Sequence, residues 1–419
     1  MPQPVMEPIT LSEYGSVVVR LNDEQVDALQ QTGGGSYLTV EPTERPGYRR
    51  VTAHNYVGSI NVSGLQVLIK PKIPLRNLFL LLEVGLRERD WQDEAALFET
   101  TGDLLPAFVS FFARATETTI ARGLYHSYQE QRDRLVALRG RVDITHQLAH
   151  PGVVVPTACR FTEFTADLIE NSYLKAAVSQ SLQMAGVQPI DRRRFMRHLV
   201  MLEEVSDVRH HHDDYNQVVF TRLNEHYKLT LRLAELVLAN LTLQDTIGQT
   251  RASSFMLDMN ELFERFVTER LRRILRGRLN VKDQYKDRLD HDGDVRIQPD
   301  LLFSTSGAAS FVADIKYKLI DSTATGRNAD YYQLLAYTTA LDIPEGVLIY
   351  CLDTSHSDTA TGNASTGKSA QPPAPGSSIR VRHAGKVLHT YALDLSGDPD
   401  AVDRNVDDLA GWIADRAAK

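Results

Sequence analysis

The stretch FVADIKYKLI, residues 311–320, has the β-branched and aromatic content of a buried strand, yet it places Asp314 and Lys316 two positions apart. Side chains on a strand alternate between faces, so Phe311, Ala313, Ile315, Tyr317 and Leu319 are expected on one side and Val312, Asp314, Lys316 and Ile320 on the other. The acid and the lysine therefore project together. An edge strand with one wet face would account for them as an ion pair of little energetic weight. The neighbouring sequence decides between that reading and a chemical one.

Upstream lies DVRIQPDLLFS, residues 294–304, read as a second strand in which Pro299 precedes Asp300. A short turn, STSGAAS at 304–310, separates it from the first, so the two form a hairpin that brings Asp300 beside Asp314 and Lys316. Two carboxylates with the backbone carbonyl of Ile315 make an oxygen site suited to Mg²⁺ or Mn²⁺, hard cations that keep water positions open for a phosphate. An ion there would polarise a phosphate and acidify a bound water, and Lys316 would orient that water or face the developing negative charge.

The helix expected over MNELFERFVTERLRRILRG, residues 259–277, supplies a further acid. At about 100° per residue its apolar stripe is Leu262, Phe263, Phe266, Val267, Leu271, Ile274 and Leu275. Glu264 falls inside that stripe, whereas Glu261 and Glu269 fall outside it. A carboxylate in that place either meets a metal or bends out to water. Beyond the charged strand, NADYYQLLAYTTAL at 328–341 puts Gln333 and Tyr337 one helical turn apart on one face.

The rest of the chain frames this constellation. Its 419 residues suffice for two or three domains, and 42% hydrophobic with 24% charged residues is the composition of an ordinary globular protein. No apolar run is long enough to span a bilayer and no signal segment is evident, so no membrane association and a cytoplasmic location are expected. Cys159 and Cys351 stand far apart, which supports neither a disulfide framework nor a thiolate zinc site. The run His210, His211, His212, Asp213, Asp214 reads as a solvated loop. A net charge of −8 excludes binding of nucleic acid by bulk charge and leaves room for local basic clusters, DRRRFMRH at 191–198 and RLRRILRGR at 270–278.

The expected fold class is multidomain α+β. Residues 1–74 form a β-rich domain, with a short helix near NDEQVDALQQ and a hairpin turn at Ser63-Gly64; residues 75–245 form a mostly helical middle; residues 246–419 form an α/β domain. Residues 354–378, rich in Ser, Thr, Gly, Pro and Ala, are expected to be a mobile loop within that last domain.

Helix-Glu, Pro-Asp, Asp-x-Lys and Gln-x-x-x-Tyr, in that order, resemble the PD-(D/E)xK nucleases of the RecB-like branch. The segments HNYVGSINVSGLQVLIKPKIP (54–74), GLYHSYQEQRDRLVALRGRVDI (123–144) and MNELFERFV resemble the McrC family, nuclease subunits of the 5-methylcytosine-specific McrBC restriction system. The likeness spans about residue 36 to 350 and omits the loop at 354–378 and the C-terminal extension. It implies a restriction-endonuclease-like domain in which Asp300, Asp314, Lys316 and Glu264 are catalytic. Asp300, Asp314, Glu264 and the Ile315 carbonyl would hold Mg²⁺ or Mn²⁺, and Gln333 and Tyr337 would lie near the DNA.

It also implies double-stranded, modified DNA as substrate and a hexameric McrB-like AAA+ GTPase as partner, docked by the β-rich region. The chain itself should bind no nucleotide, because QTGGGS (31–36) and ASTGKS (364–369) both lack the glycine spacing of a phosphate loop. The competing expectation is a non-cleaving adaptor that activates an AAA+ NTPase; an adaptor has no need of the intact Asp300, Asp314, Lys316 set.

Overall fold

A computed structural model describes residues 8–82, 103–149, 152, 155–184, 187–244, 252–305, 307–320, 328–352 and 377–418. The loop expected at 354–378 lies almost wholly outside the described residues.

The N-terminal part is β-rich, as its β-branched runs require. It contains β1 (Ile9–Ser12), β2 (Ser16–Arg20), α1 (Asp23–Gln31), β3 (Leu38–Pro42), β4 (Tyr48–Ala53), β5 (Tyr56–Val62), β6 (Leu65–Lys70) and α2 (Leu75–Leu82). Strands β2, β4 and β3 form one antiparallel sheet in that order. In a second sheet β6 pairs antiparallel with β5 and parallel with β1. The β5–β6 turn is the expected one: Ser63 and Gly64 both adopt positive φ, 44° and 72°, the geometry of a tight two-residue hairpin. Helix α1 begins where Asn22 accepts a hydrogen bond from the Gln25 N–H at 2.8 Å, while Gln25 caps back to Asn22.

The middle of the chain forms a compact unit over residues 103–255. It holds α3 (Leu104–Ala121), β7 (Ser127–Leu135), β8 (Arg141–Val142), α4 (Ile144–Leu148), β9 (Thr157–Thr165), α5 (Ile169–Leu182), α6 (Pro189–Met201), α7 (Lys228–Asn240), β10 (Leu241–Gln244) and most of β11 (Ala252–Asp258). Its helices bury Phe108, Phe112, Tyr173, Phe195 and Leu231. The expected helical block is interrupted by a sheet ordered β7-β9-β8, in which nine residue pairs run from Ser127↔Thr165 to Leu135↔Thr157. Residues 127–135 carry no apolar stripe at helical spacing, and the strand is held by its partner, with cross-strand pairs such as Arg160 and Glu130 at 3.1 Å.

The C-terminal part follows with α8 (Met259–Ile274), β12 (Asn280–Asp283), β13 (Asp287–Arg288), β14 (Arg296–Ile297), β15 (Leu301–Thr305), β16 (Ala308–Ile320), α9 (Asn328–Ala340), β17 (Glu345–Leu352), β18 (Ser378–Arg380), β19 (Val387–Leu393) and α10 (Pro399–Ala417). Its six-stranded sheet is ordered β12-β15-β16-β17-β19-β18. The opening stretch is thus β16, an interior strand with β15 antiparallel on one side and β17 parallel on the other, which disposes of the edge-strand reading.

One face of β16 packs Val312 with Leu302, Leu334, Tyr337, Leu348 and Tyr350 beneath α9. The opposite face sets Phe311 against the Trp412 ring of α10 at 6.1 Å and Tyr317 against Phe263 of α8 at 5.7 Å.

Contacts group residues 1–102 with 256–419 in a single compact unit, so the N-terminal strands are not a block apart from the α/β part. Three contacts illustrate the union. Asn55 Nδ2 donates to Asp258 Oδ1 at 2.7 Å, the Met259 N–H donates to the Asn55 carbonyl at 3.0 Å, and the Tyr317 hydroxyl donates to Glu13 Oε1 at 3.2 Å. Among the described residues no helix is long and apolar enough to cross a membrane.

Candidate active site

The hairpin places the acids. Leu301 pairs with Ala313, which sets the preceding Asp300 beside Asp314, and Asp300 Oδ2 accepts the Ile315 N–H at 2.7 Å. The stretch 294–304 is not the single strand expected; Pro299 and Asp300 link β14 to β15, and proline's missing N–H suits that break in the ladder. On the other side the Asp300 carbonyl accepts the Gln284 N–H at 2.9 Å, so Gln284, Asp300 and Asp314 form a row across three successive segments.

Asp314 is fully buried. Lys316 Nζ lies 2.9 Å from its Oδ2, while Oδ1 has no hydrogen-bond donor among the described residues. Burial pushes the carboxyl pKa of Asp314 up and the neighbouring Asp300 charge pushes it further; Asp300 is raised by burial and then by Glu264. Burial works against the Lys316 ammonium, yet Asp314 and Asp300 hold its pKa above the ordinary lysine value.

Glu264 joins from α8. It is half-buried, and Gln284 Nε2 donates to its Oε1. Burial raises its pKa, and the Asp314 charge adds to the rise. The helix stripe thus delivers the acid to the cluster as its angular position suggests.

Gln333 and Tyr337 also arrive on one face of α9: Gln333 Nε2 donates to the Tyr337 hydroxyl at 2.6 Å, and that hydroxyl donates to the Gln298 carbonyl at 3.2 Å. Gln298 Nε2 in turn donates to Gln284 Oε1. Gln284 and Gln298 are the residues that sequence reasoning missed; neither belongs to a periodic pattern. The mark of Gln284 is a backbone φ of +46°, visible only in the fold.

Three carboxylates share this corner with one ammonium, so the ionised cluster would hold two uncompensated negative charges. An orphaned oxygen on Asp314 and raised carboxyl pKa values are the signs of a site shaped for a divalent cation, and an all-oxygen donor set suits Mg²⁺ or Mn²⁺.

A second group of possible ligands lies in the middle unit. Ligand atoms of His211, His212 and Asp213, in the run expected to be a solvated loop, lie within 4.8 Å of one another. Asp213 bridges the two rings, at 3.2 Å from His211 Nδ1 and 3.3 Å from His212 Nδ1, at a solvent-facing turn. His210 is engaged elsewhere, by Ser172 and Asp214.

The several sheets and helices define a mixed α/β multidomain protein, and the acid cluster lies on the β15–β16 hairpin of its C-terminal sheet. The chain belongs to the family described as McrBC 5-methylcytosine restriction system component, whose model matches residues 51–351. It shares its fold with a chain from the refined half-complex of a tetradecameric assembly of Thermococcus gammatolerans McrB AAA+ hexamers with bound McrC, at 18% identity and a TM-score of 0.55, covering 97% of this chain and 100% of that one. A chain of the Thermococcus gammatolerans McrBC complex matches at 22% identity and a TM-score of 0.45, over 64% of this chain and 88% of that one. A search of curated proteins gives no match.

Proposed function

We propose that this chain is the McrC-like endonuclease subunit of a modification-dependent restriction complex, cutting double-stranded DNA with Mg²⁺ or Mn²⁺. The observation that carries the reading is the buried Asp314, with one oxygen against Lys316 and the other without a donor, beside Asp300 and Glu264. A PD-(D/E)xK domain is the arrangement these residues fit. Asp300, Asp314, Glu264 and the Ile315 carbonyl would hold the ion, which when bound polarises a phosphate and acidifies a water.

The chain's own groups do the rest. The Ile315 N–H fixes the Asp300 carboxylate, so that ligand is in place before substrate arrives. Lys316, kept protonated by its acidic neighbours, is a hydrogen-bond donor that orients the attacking water and faces the charge that builds on the phosphate. Gln333 and Tyr337 brace the Gln298 segment at the rim, where DNA would lie.

An McrB-like AAA+ hexamer is the partner that the matched assembly suggests, docked by the N-terminal hairpins, with their NTPase stimulated in return. Exposed Arg45 and Arg50 on the β3–β4 side are candidates for that contact. The chain would need no nucleotide of its own and would act in the cytoplasm.

Asp314→Ala tests the reading. Purified with its AAA+ partner, the variant should fail to cut a modified plasmid in Mg²⁺ while still stimulating NTP hydrolysis. Cleavage at the wild-type rate would sink the site.

A further inference from the structure

Residue Gln284 stands directly after β12 with φ +46°, in the left-handed region that a non-glycine residue enters at a cost of about 1 kcal/mol. A turn with no other duty would favour glycine there. Glutamine brings three contacts that glycine could not all make. Its N–H holds the Asp300 carbonyl, its Nε2 donates to Glu264 Oε1, and its Oε1 accepts from Gln298 Nε2. The amide orientation is dictated by its partners: a carboxylate can only accept, so the NH₂ end faces Glu264 and the oxygen faces the Gln298 amide.

Glu264 needs such a hold. Asp300 and Asp314 are fixed by strand register, but Glu264 comes from a helix, and its rotatable side chain leaves its carboxylate free to swing toward water. Gln284 is its hydrogen-bond donor among the described residues. The hold extends further, because Gln298 anchors Gln284 and the Gln298 carbonyl is tied to Tyr337 and through it to Gln333. A continuous line of hydrogen bonds thus joins the acid on α8 to the Gln333–Tyr337 pair on α9.

We infer that Gln284 is a positioning residue that fixes the Glu264 carboxylate toward Asp300 and Asp314, and that Gln298 fixes Gln284. This rests on the ion-binding reading of the acid cluster. Partners that orient a ligand from behind typically change metal affinity or activity by about 10–100-fold when removed.

The test is calorimetric binding of Mn²⁺ to the full-length chain, alongside thermal unfolding and the Mg²⁺ dependence of plasmid cleavage by the complex. Gln284→Gly relieves the backbone and removes the side chain. It should unfold no lower than wild type, yet bind Mn²⁺ roughly 10–100-fold more weakly and need correspondingly more Mg²⁺ for half-maximal cleavage. Gln284→Asn also tolerates positive φ but is one methylene shorter, and should show the same weakening without loss of fold. Gln298→Leu, which leaves the turn untouched, should shift affinity the same way by less. Gly and Asn variants that bind Mn²⁺ within about twofold of wild type, well short of the shift expected for an orienting partner, would reduce Gln284 to a turn residue and end the inference while the site stands. Wild-type chain that binds no Mn²⁺ would overturn both.

Discussion

The two faces of β16 bury acids in opposite ways. Toward α9 lie Asp314 and Lys316, with Asp300 and Glu264 converging on them. On the far face Tyr317 meets a lone buried carboxyl, Glu13, which accepts the Tyr317 hydroxyl at 3.2 Å and the Lys72 N–H at 2.9 Å. Among the described residues Glu13 forms no ion pair and its Oε2 has no donor; burial outweighs the Lys72 N–H and charge and lifts its pKa to about 7, so the carboxyl keeps its proton over much of the acid range. Asp314 cannot escape so simply, because Lys316 at 2.9 Å favours its charged form while burial and the Asp300 and Asp330 charges oppose it. A solitary buried acid can shed its charge by keeping its proton; a cluster tied to an amine is left with charges of both signs to reconcile.

The sharpest way to break this comparison is to empty each face in turn. Asp314→Ala should abolish cleavage without lowering the unfolding temperature, since it removes a buried charge in a crowd of like charges and leaves the apolar packing alone. Phe311→Ala, one turn of the pleat away on the other face, should do the reverse. Phe311 is fully buried between the Phe303 and Trp412 rings, and the cavity should cost about 3–5 kcal/mol of stability, read by chemical denaturation. Residual cleavage by whatever fraction stays folded should keep its normal Mg²⁺ dependence. If Asp314→Ala unfolds the protein and Phe311→Ala does not, the faces have been assigned the wrong way round.

Much of this contrast was legible in the residues themselves. The period-2 alternation of residues 311–317 separates the faces, and the angular position of Glu264 in its helix points it at the sheet; both are local signals that survive into the fold. The Ser63-Gly64 hairpin and the capped α1 are local as well. What escaped is non-local. Nothing near Glu13 announces that it meets Tyr317, some three hundred residues on, because that contact follows from the parallel pairing of β1 with β6 and the union of both chain ends in one unit. The β7–β9 ladder was hidden in the helical middle for the same reason, since β7 is a largely solvent-facing strand of polar residues with no buried alternation and its pairing comes from β9, some thirty residues on. Gln284 and Gln298 act through a turn conformation and side-chain amides, which leave no period to read.

A subtler probe of the comparison is pH. The Glu13 carboxyl is raised from an ordinary 4.5 to about 7 in the folded chain. Between those values the native state binds more protons than the unfolded one, so the stability contributed by the neutral acid is full below about 4.5, declines as pH rises through the window, and is gone above about 7. Glu13→Gln cannot titrate and should flatten that decline. Relative to wild type, the variant should gain on the order of a few kcal/mol on going from the acid end of the window to its alkaline side, as measured by denaturant midpoints. An unchanged difference between the two pH values would show that Glu13 is ionised throughout and no different in kind from the cluster across the strand.

The smallest expected effect falls on Tyr337, which joins the apolar core beneath α9 to the rim of the acid cluster on the same face of β16. Its ring is buried in the apolar cluster with Val312 and Leu348, while its hydroxyl accepts from Gln333 and donates to the Gln298 carbonyl at the rim of the acid site. Tyr337→Phe keeps the ring and removes only those two hydrogen bonds, so stability should fall by about 0.5–1.5 kcal/mol. Cleavage should slow by less than about tenfold, because among the described residues the hydroxyl's hydrogen bonds lead to the acids through Gln298 and Gln284 and each link can relax. The two measurements together decide the residue's role. A stability loss with cleavage barely altered marks a brace, as the hydrogen-bond line suggests. A collapse of cleavage with stability intact would mean that the hydroxyl itself touches DNA or the reacting phosphate, and Tyr337 would then join Asp314 and Lys316 among the proposed catalytic residues.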